Sequence, residues 1–130
     1  MAYKSRLEGP EADLLCDAVL ALRSREECYR FFDDLLTASE FMAMSQRIAV
    51  AQLLFNNEKY TPIAEETGAS TATISRVKRC VNFGADGYLL VLRRLAANNG
   101  IENGIKKEIE NEIENQEFLT GKKNMGENNG

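Results

Sequence analysis

The stretch TPIAEETGASTATISRVKRC, Thr61 to Cys80, constrains this chain most, because it sets two helix signals on either side of a reversal. Thr61 before Pro62 places a capping hydroxyl ahead of a proline at the first helical position, where the missing N–H costs nothing, and opens a short helix to Thr67. Gly68 tolerates the left-handed conformation that ends it. Ser70 caps a second helix from Thr71 to about Asn82. Two short helices joined by a three-residue turn have helix-turn-helix geometry, in which the second helix suits the major groove of DNA. Ala64 is small where the helices cross, and Ile63, Ile74 and Val77 clamp the pair onto the rest of the chain.

The exposed face of the second helix is the candidate DNA-binding surface. Ser70, Thr71, Ala72, Thr73 and Ser75 are short side chains suited to close approach to base edges and phosphates. Arg76, Lys78 and Arg79 then supply three positive charges, with no acidic residue between Gly68 and Val81. Small polar residues admit a helix to a groove, and a basic cluster neutralises phosphates. A Ser-capped helix ending in basic residues also satisfies its own dipole, so the basic residues alone decide nothing. The weight lies in the whole segment being in register.

The net charge of −4 conceals an uneven distribution. Residues 1–40 carry five basic and nine acidic side chains, 41–94 seven and four, and 95–130 four and seven. The basic excess is central, where the helix-turn-helix lies. Two prolines, no tryptophan and abundant Leu, Ala and Glu favour an all-α fold. No apolar run is long enough to span a bilayer and the first ten residues lack a signal-peptide pattern, so the expected location is cytoplasmic, with no membrane partner. Cys16, Cys28 and Cys80 fall beside apolar residues in helical patterns and read as buried thiols. With no histidine and no close cysteine pair, neither a metal nor a cofactor is expected. Asp33/Asp34 and Glu65/Glu66 are adjacent on helices, so their carboxylates diverge and give no general acid and base pair; catalysis is not expected.

Three helices should precede the motif. The first, after Pro10, buries Leu14, Leu15, Ala18, Val19 and Leu22 and ends near Arg23. Ser24 with Glu27, and Thr37 with Glu40, are capping boxes that start helices over about 25–36 and 38–56. The second buries Cys28, Phe31, Phe32 and Leu35, and the third carries a stripe of Phe41, Met44, Ile48, Ala51, Leu54 and Phe55. A sixth helix containing Tyr88, Leu89, Leu92, Leu95 and Ala96 ends before Asn98, Asn99 and Gly100. The expected organisation is an arm over 1–9, a domain over 10–98, and a polar, partly disordered tail over 99–130. In that tail Ile101, Ile105, Ile109 and Ile113 form a weak stripe on a solvated helix.

GASTATISR, with the preceding SQRIAVAQLL, resembles the Trp repressor superfamily, and more closely its YerC/YecD-like branch, in which ECYRFF, AEETGASTATISRVKRC and a following DGY recur. The likeness covers about residues 10–95. It implies a six-helix fold and an intertwined homodimer whose N-terminal helices interlock, which suits the aromatic loading at Tyr29, Phe31, Phe32 and Phe41. It further implies two recognition helices on a two-fold axis, reading a palindromic operator on double-stranded DNA. The family's tryptophan pocket corresponds here to a candidate effector pocket of Gln46, Arg47, Arg76 and Val77. Arg76 matches the family's recognition-helix arginine. Gln46 replaces an arginine and Val77 a glycine, so the bidentate carboxylate contact and the space for an indole are both lost, and tryptophan is not the expected effector. A repressor acting at an operator is the leading expectation. Its rival is a helix-turn-helix that docks a protein partner without DNA.

Overall fold

A computed structural model describes residues 2–128, with side chains over 2–100 and 107–117. The described chain is all helical: α1 (Pro10–Leu20), α2 (Arg25–Leu35), α3 (Ala38–Phe55), α4 (Tyr60–Thr67), α5 (Thr71–Phe83) and α6 (Gly87–Asn128). It divides into two compact units, Met1–Arg47 and Ile48–Gly130, with the boundary inside α3. No helix among the described residues is long and apolar enough to cross a membrane.

In the first unit the helix starts are set by side chains close in sequence. The Glu27 N–H donates to Ser24 Oγ at 3.1 Å, while Glu27 Oε1 accepts from the Arg23 N–H at 3.0 Å, one residue further back than in the usual reciprocal box. At α3 the box is complete: the Glu40 N–H donates to Thr37 Oγ1 at 3.2 Å, and the Thr37 N–H donates to Glu40 Oε1 at 2.9 Å. The bonds from Thr37 favour the charged Glu40 carboxylate and hold its pKa below the ordinary 4.5. A carboxyl lowered in this way contributes stability above its unfolded pKa and loses it as pH falls through the folded one. The stability gap between the protein and Glu40→Gln should therefore be full at neutral pH and close as pH drops below 4.5, which thermal unfolding across an acid series would show. A gap that does not vary with pH would remove the charge from the cap.

Tyr29 and Phe32 each lie 6.0 Å from Phe41 between ring centroids, tilted at 44° and 45°, with Phe31 5.7 Å from Phe32. The first unit nevertheless has no fully buried side chain among the described residues. The expected burial of the α1 face is not observed within one chain: Leu14 is 69% exposed, and Leu15 and Val19 are also exposed. The buried cysteines are likewise corrected. Cys16 lies on this open helix and is exposed, and Cys28 is half-buried. Cys80 is exposed because Ile74, Val77 and Val81 occupy the inward face of α5.

The core lies in the second unit, where Val50, Ala51, Ile63, Ala69, Ile74, Val77, Val81 and Leu92 are buried together. Leu53, Leu54, Phe55, Ala64, Tyr88 and Leu89 pack against it. Val50 was not in the predicted stripe, whereas Ile48, which was, is exposed. α3 ends in a Schellman arrangement: Asn57 is left-handed at φ 62°, the Glu58 N–H donates to the Leu53 carbonyl, and the Asn57 N–H donates to the Leu54 carbonyl, both at 3.0 Å. α6 does not end before Asn98; it continues through the expected break to Asn128.

Candidate nucleic-acid interface

α4 begins at Tyr60 rather than at Pro62, with Lys59 as an N-cap that makes no side-chain bond. Thr61 is therefore inside the helix and does not cap it. Pro62 remains within the first turn, where backbone N–H groups have no partner in the helix, so its ring costs no hydrogen bond there. At the other end Gly68 is left-handed, with φ 70° and ψ 8°, and its N–H donates to the Ala64 carbonyl at 2.9 Å. Thr67 supports the reversal: its hydroxyl donates to the Ile63 carbonyl at 2.7 Å and accepts from the Ala69 N–H at 3.2 Å. Ala69, 5% exposed, plugs the turn into the core.

Ser70 then starts α5. Its Oγ accepts from the Thr73 N–H at 3.1 Å and its hydroxyl donates to Thr73 Oγ1 at 3.0 Å. Burial of Ile74, Val77 and Val81 at spacings of three and four fixes which side of α5 faces inward. The outward side consequently presents Ser70, Thr71, Ala72, Ser75, Arg76, Lys78 and Arg79, all exposed, while Thr73 is half-buried and engaged in the cap. The hydroxyls of Ser70 and Thr73 are committed to each other, so Thr71, Ala72 and Ser75 are the short side chains of this face that take no part in the cap.

The three cations differ in their surroundings. Among the described residues the one ion pair is Arg30 with Glu26, 4.0 Å apart, so neither Arg76 nor Arg79 is held by a carboxylate. The Lys78 ammonium instead sits 5.4 Å from the centre of the Tyr60 ring. Sequence reasoning missed Tyr60, since nothing in the spacing of residues 60 and 78 marks a contact between different helices. Within the predicted effector set, Gln46 and Arg47 are on α3 in the first unit, half-buried and exposed respectively. Arg76 and Val77 are on α5 in the second, where Arg76 is exposed and Val77 is only 1% exposed. No group of carboxylates and thiols suited to a metal ion occurs among the described residues.

The Trp repressor protein family model matches residues 10–96. The chain is 52% identical over 90 residues to the uncharacterized protein YerC of Bacillus subtilis (strain 168), a match covering 69% of this chain and 86% of that one. A crystal structure of a candidate Trp repressor from Staphylococcus aureus is similar at TM-score 0.68 and 49% identity, over 70% of this chain and 91% of the other. The TrpR-like protein of Eubacterium eligens ATCC 27750 matches at TM-score 0.68 and 46% identity, over 70% and 94%. With more than half its length matched by the family model and a helix-turn-helix exposing an acid-free basic face, this chain belongs to the Trp repressor family.

Proposed function

We propose that this DNA-binding helix-turn-helix regulator is a sequence-specific transcriptional repressor that occupies a palindromic operator as an intertwined homodimer, with no need of tryptophan. The observation that carries the reading is the outward face of α5, where short side chains at the helix N-terminus are followed by Arg76 and Arg79, both exposed and free of ion pairs among the described residues. The positive end of the helix dipole and the arginines favour phosphate, while Thr71, Ala72 and Ser75 leave room for base edges.

The homodimer is supported by the first unit. Leu20 at 81% exposed and Met42 at 66%, together with Leu14, leave an apolar surface that water covers at a cost of about 1.5–3 kcal/mol for each large side chain. A second copy interlocking its α1 and α2 would remove that surface from water, and would set two copies of α5 about 34–36 Å apart for successive major grooves. Independence from tryptophan is supported by Val77, which lies in the core beside Val50, Ala51 and Ile74 where the family's glycine leaves space. In this reading Gln46, Arg47, Arg76 and Val77 form no indole site. On the same reading the protein acts inside the cytoplasm.

A helix-turn-helix serving as a protein-docking module is separated from this reading by salt. Fluorescence anisotropy of a labelled duplex should show affinity falling steeply between low and moderate salt, with a log–log slope of about −0.9 for each phosphate neutralised. No duplex binding even at low salt would favour the docking module.

A further inference from the structure

We infer that Lys78 is a positioning residue of the recognition helix, its charge held by the ring of Tyr60 instead of by a DNA phosphate. The inference rests on the DNA-binding reading above and assigns Lys78 a different role from its two arginine neighbours. The ammonium is 5.4 Å from the ring centre, within the roughly 6 Å over which a cation is attracted to an aromatic face. The ring is a settled platform, because Tyr60 is half-buried and packs against the core at the first residue of α4. Lys78 lies past the middle of α5, on the turn after the Ile74 that joins Ile63 in the core.

The two short helices are therefore tied twice. Ile63 and Ile74 hold them through the core, and the pairing of Tyr60 with Lys78 adds a tie at the surface, in a depression also lined by Leu54, Asn57, Val81 and Asn82. Glu58 lines that depression too but makes no ion pair with Lys78, leaving the aromatic ring as the lysine's identified partner. The core contacts of Ile74, Val77 and Val81 fix which side of α5 faces inward, and the surface pair adds a restraint on its angle to α4. A recognition helix whose short side chains must reach base edges depends on that angle, so the pair sets how the helix is presented without an effector bound beside it.

The test uses the full chain and a labelled duplex, titrated by anisotropy across a salt series, with thermal unfolding of each variant measured without DNA. Tyr60→Leu keeps every charge but removes the ring, and is expected to weaken binding about two- to fivefold with the salt slope unchanged. Lys78→Met should weaken it similarly, also without a change of slope, and the double variant should be no worse than either single one. Tyr60→Phe and Lys78→Arg preserve the interaction and should bind as the unaltered protein does. If Lys78→Met reduces the slope by about 0.9 for each copy while Tyr60→Leu leaves binding intact, Lys78 is a phosphate contact and the inference is overturned. Lys78→Met alters an exposed residue and provides this slope even if Tyr60→Leu fails to fold. Failure of the underlying reading is distinguishable, because the unaltered protein would then bind no duplex at any salt; that result also overturns the inference.

Discussion

Ile74→Ala is expected to destabilise the protein by about 2–5 kcal/mol, the range for truncating a buried isoleucine that leaves a cavity. Ile74 is 0% exposed, and its core contains few other large side chains: Ile63, Val50 and Val77 are the largest fully buried with it. There is little surrounding structure to collapse into the space. Domains of this kind are commonly stable by only about 5–15 kcal/mol, so this one change removes a large fraction of the total. Urea unfolding followed by circular dichroism would show a lower midpoint with a similar slope. The loss should also abolish DNA binding near the shifted transition, because Ile74 fixes which side of α5 faces outward. A loss below about 1 kcal/mol would mean that the helix pair is held elsewhere.

The second large effect is on binding. Arg76→Ala with Arg79→Ala removes two exposed cations from each copy of α5 that have no ion pair among the described residues. If both reach phosphates in each half of a dimer, the salt slope should fall in magnitude by about 3 to 4, at about 0.9 per contact. Charge-assisted hydrogen bonds contribute about 1.5–3 kcal/mol each, so losing four of them should lower affinity at moderate salt by at least on the order of ten-thousandfold. The loss should be nearly uniform across sequences, since phosphate contacts position the protein without reading bases. Stability should scarcely change, as neither arginine is buried. An unchanged slope would place the phosphate contacts on another surface and remove α5 from its assigned role.

How far the sequence disclosed this arrangement depended on the range of the interaction involved. The caps at Ser24, Thr37 and Ser70 were readable because an N-cap bond is decided by residues three positions apart. The inward positions Ile63, Ile74 and Val77 were readable because a helix pair with one apolar seam has a single solution. The start of α4 was misplaced since Thr61 and Pro62 are a strong local signal, whereas Asn57, by ending α3 in a left-handed turn, leaves room for the next helix to begin at Tyr60. The continuation of α6 escaped prediction because Asn and Gly each penalise a helix by only about 1 kcal/mol or less, which weakens it without forcing it to stop.

The exposed α1 face, with Cys16 on it, failed for a different reason. An amphipathic pattern shows that a face needs covering, but the covering element can belong to the same chain or to another. The exposure of Thr71, Ala72, Ser75, Arg76, Lys78 and Arg79 on α5 was legible from composition and register. That Lys78 lies over Tyr60 could not be read from spacing, because this partner is chosen by geometry rather than by pattern.

The most direct test of the central claim is to select and sequence genomic DNA fragments bound by the purified protein at moderate salt, with and without a mixture of the twenty amino acids. The account predicts enrichment of a two-fold symmetric site whose half-sites lie about one helical turn of DNA apart, equally in both conditions. Absence of any enriched sequence, or enrichment only with the amino acids present, would contradict it.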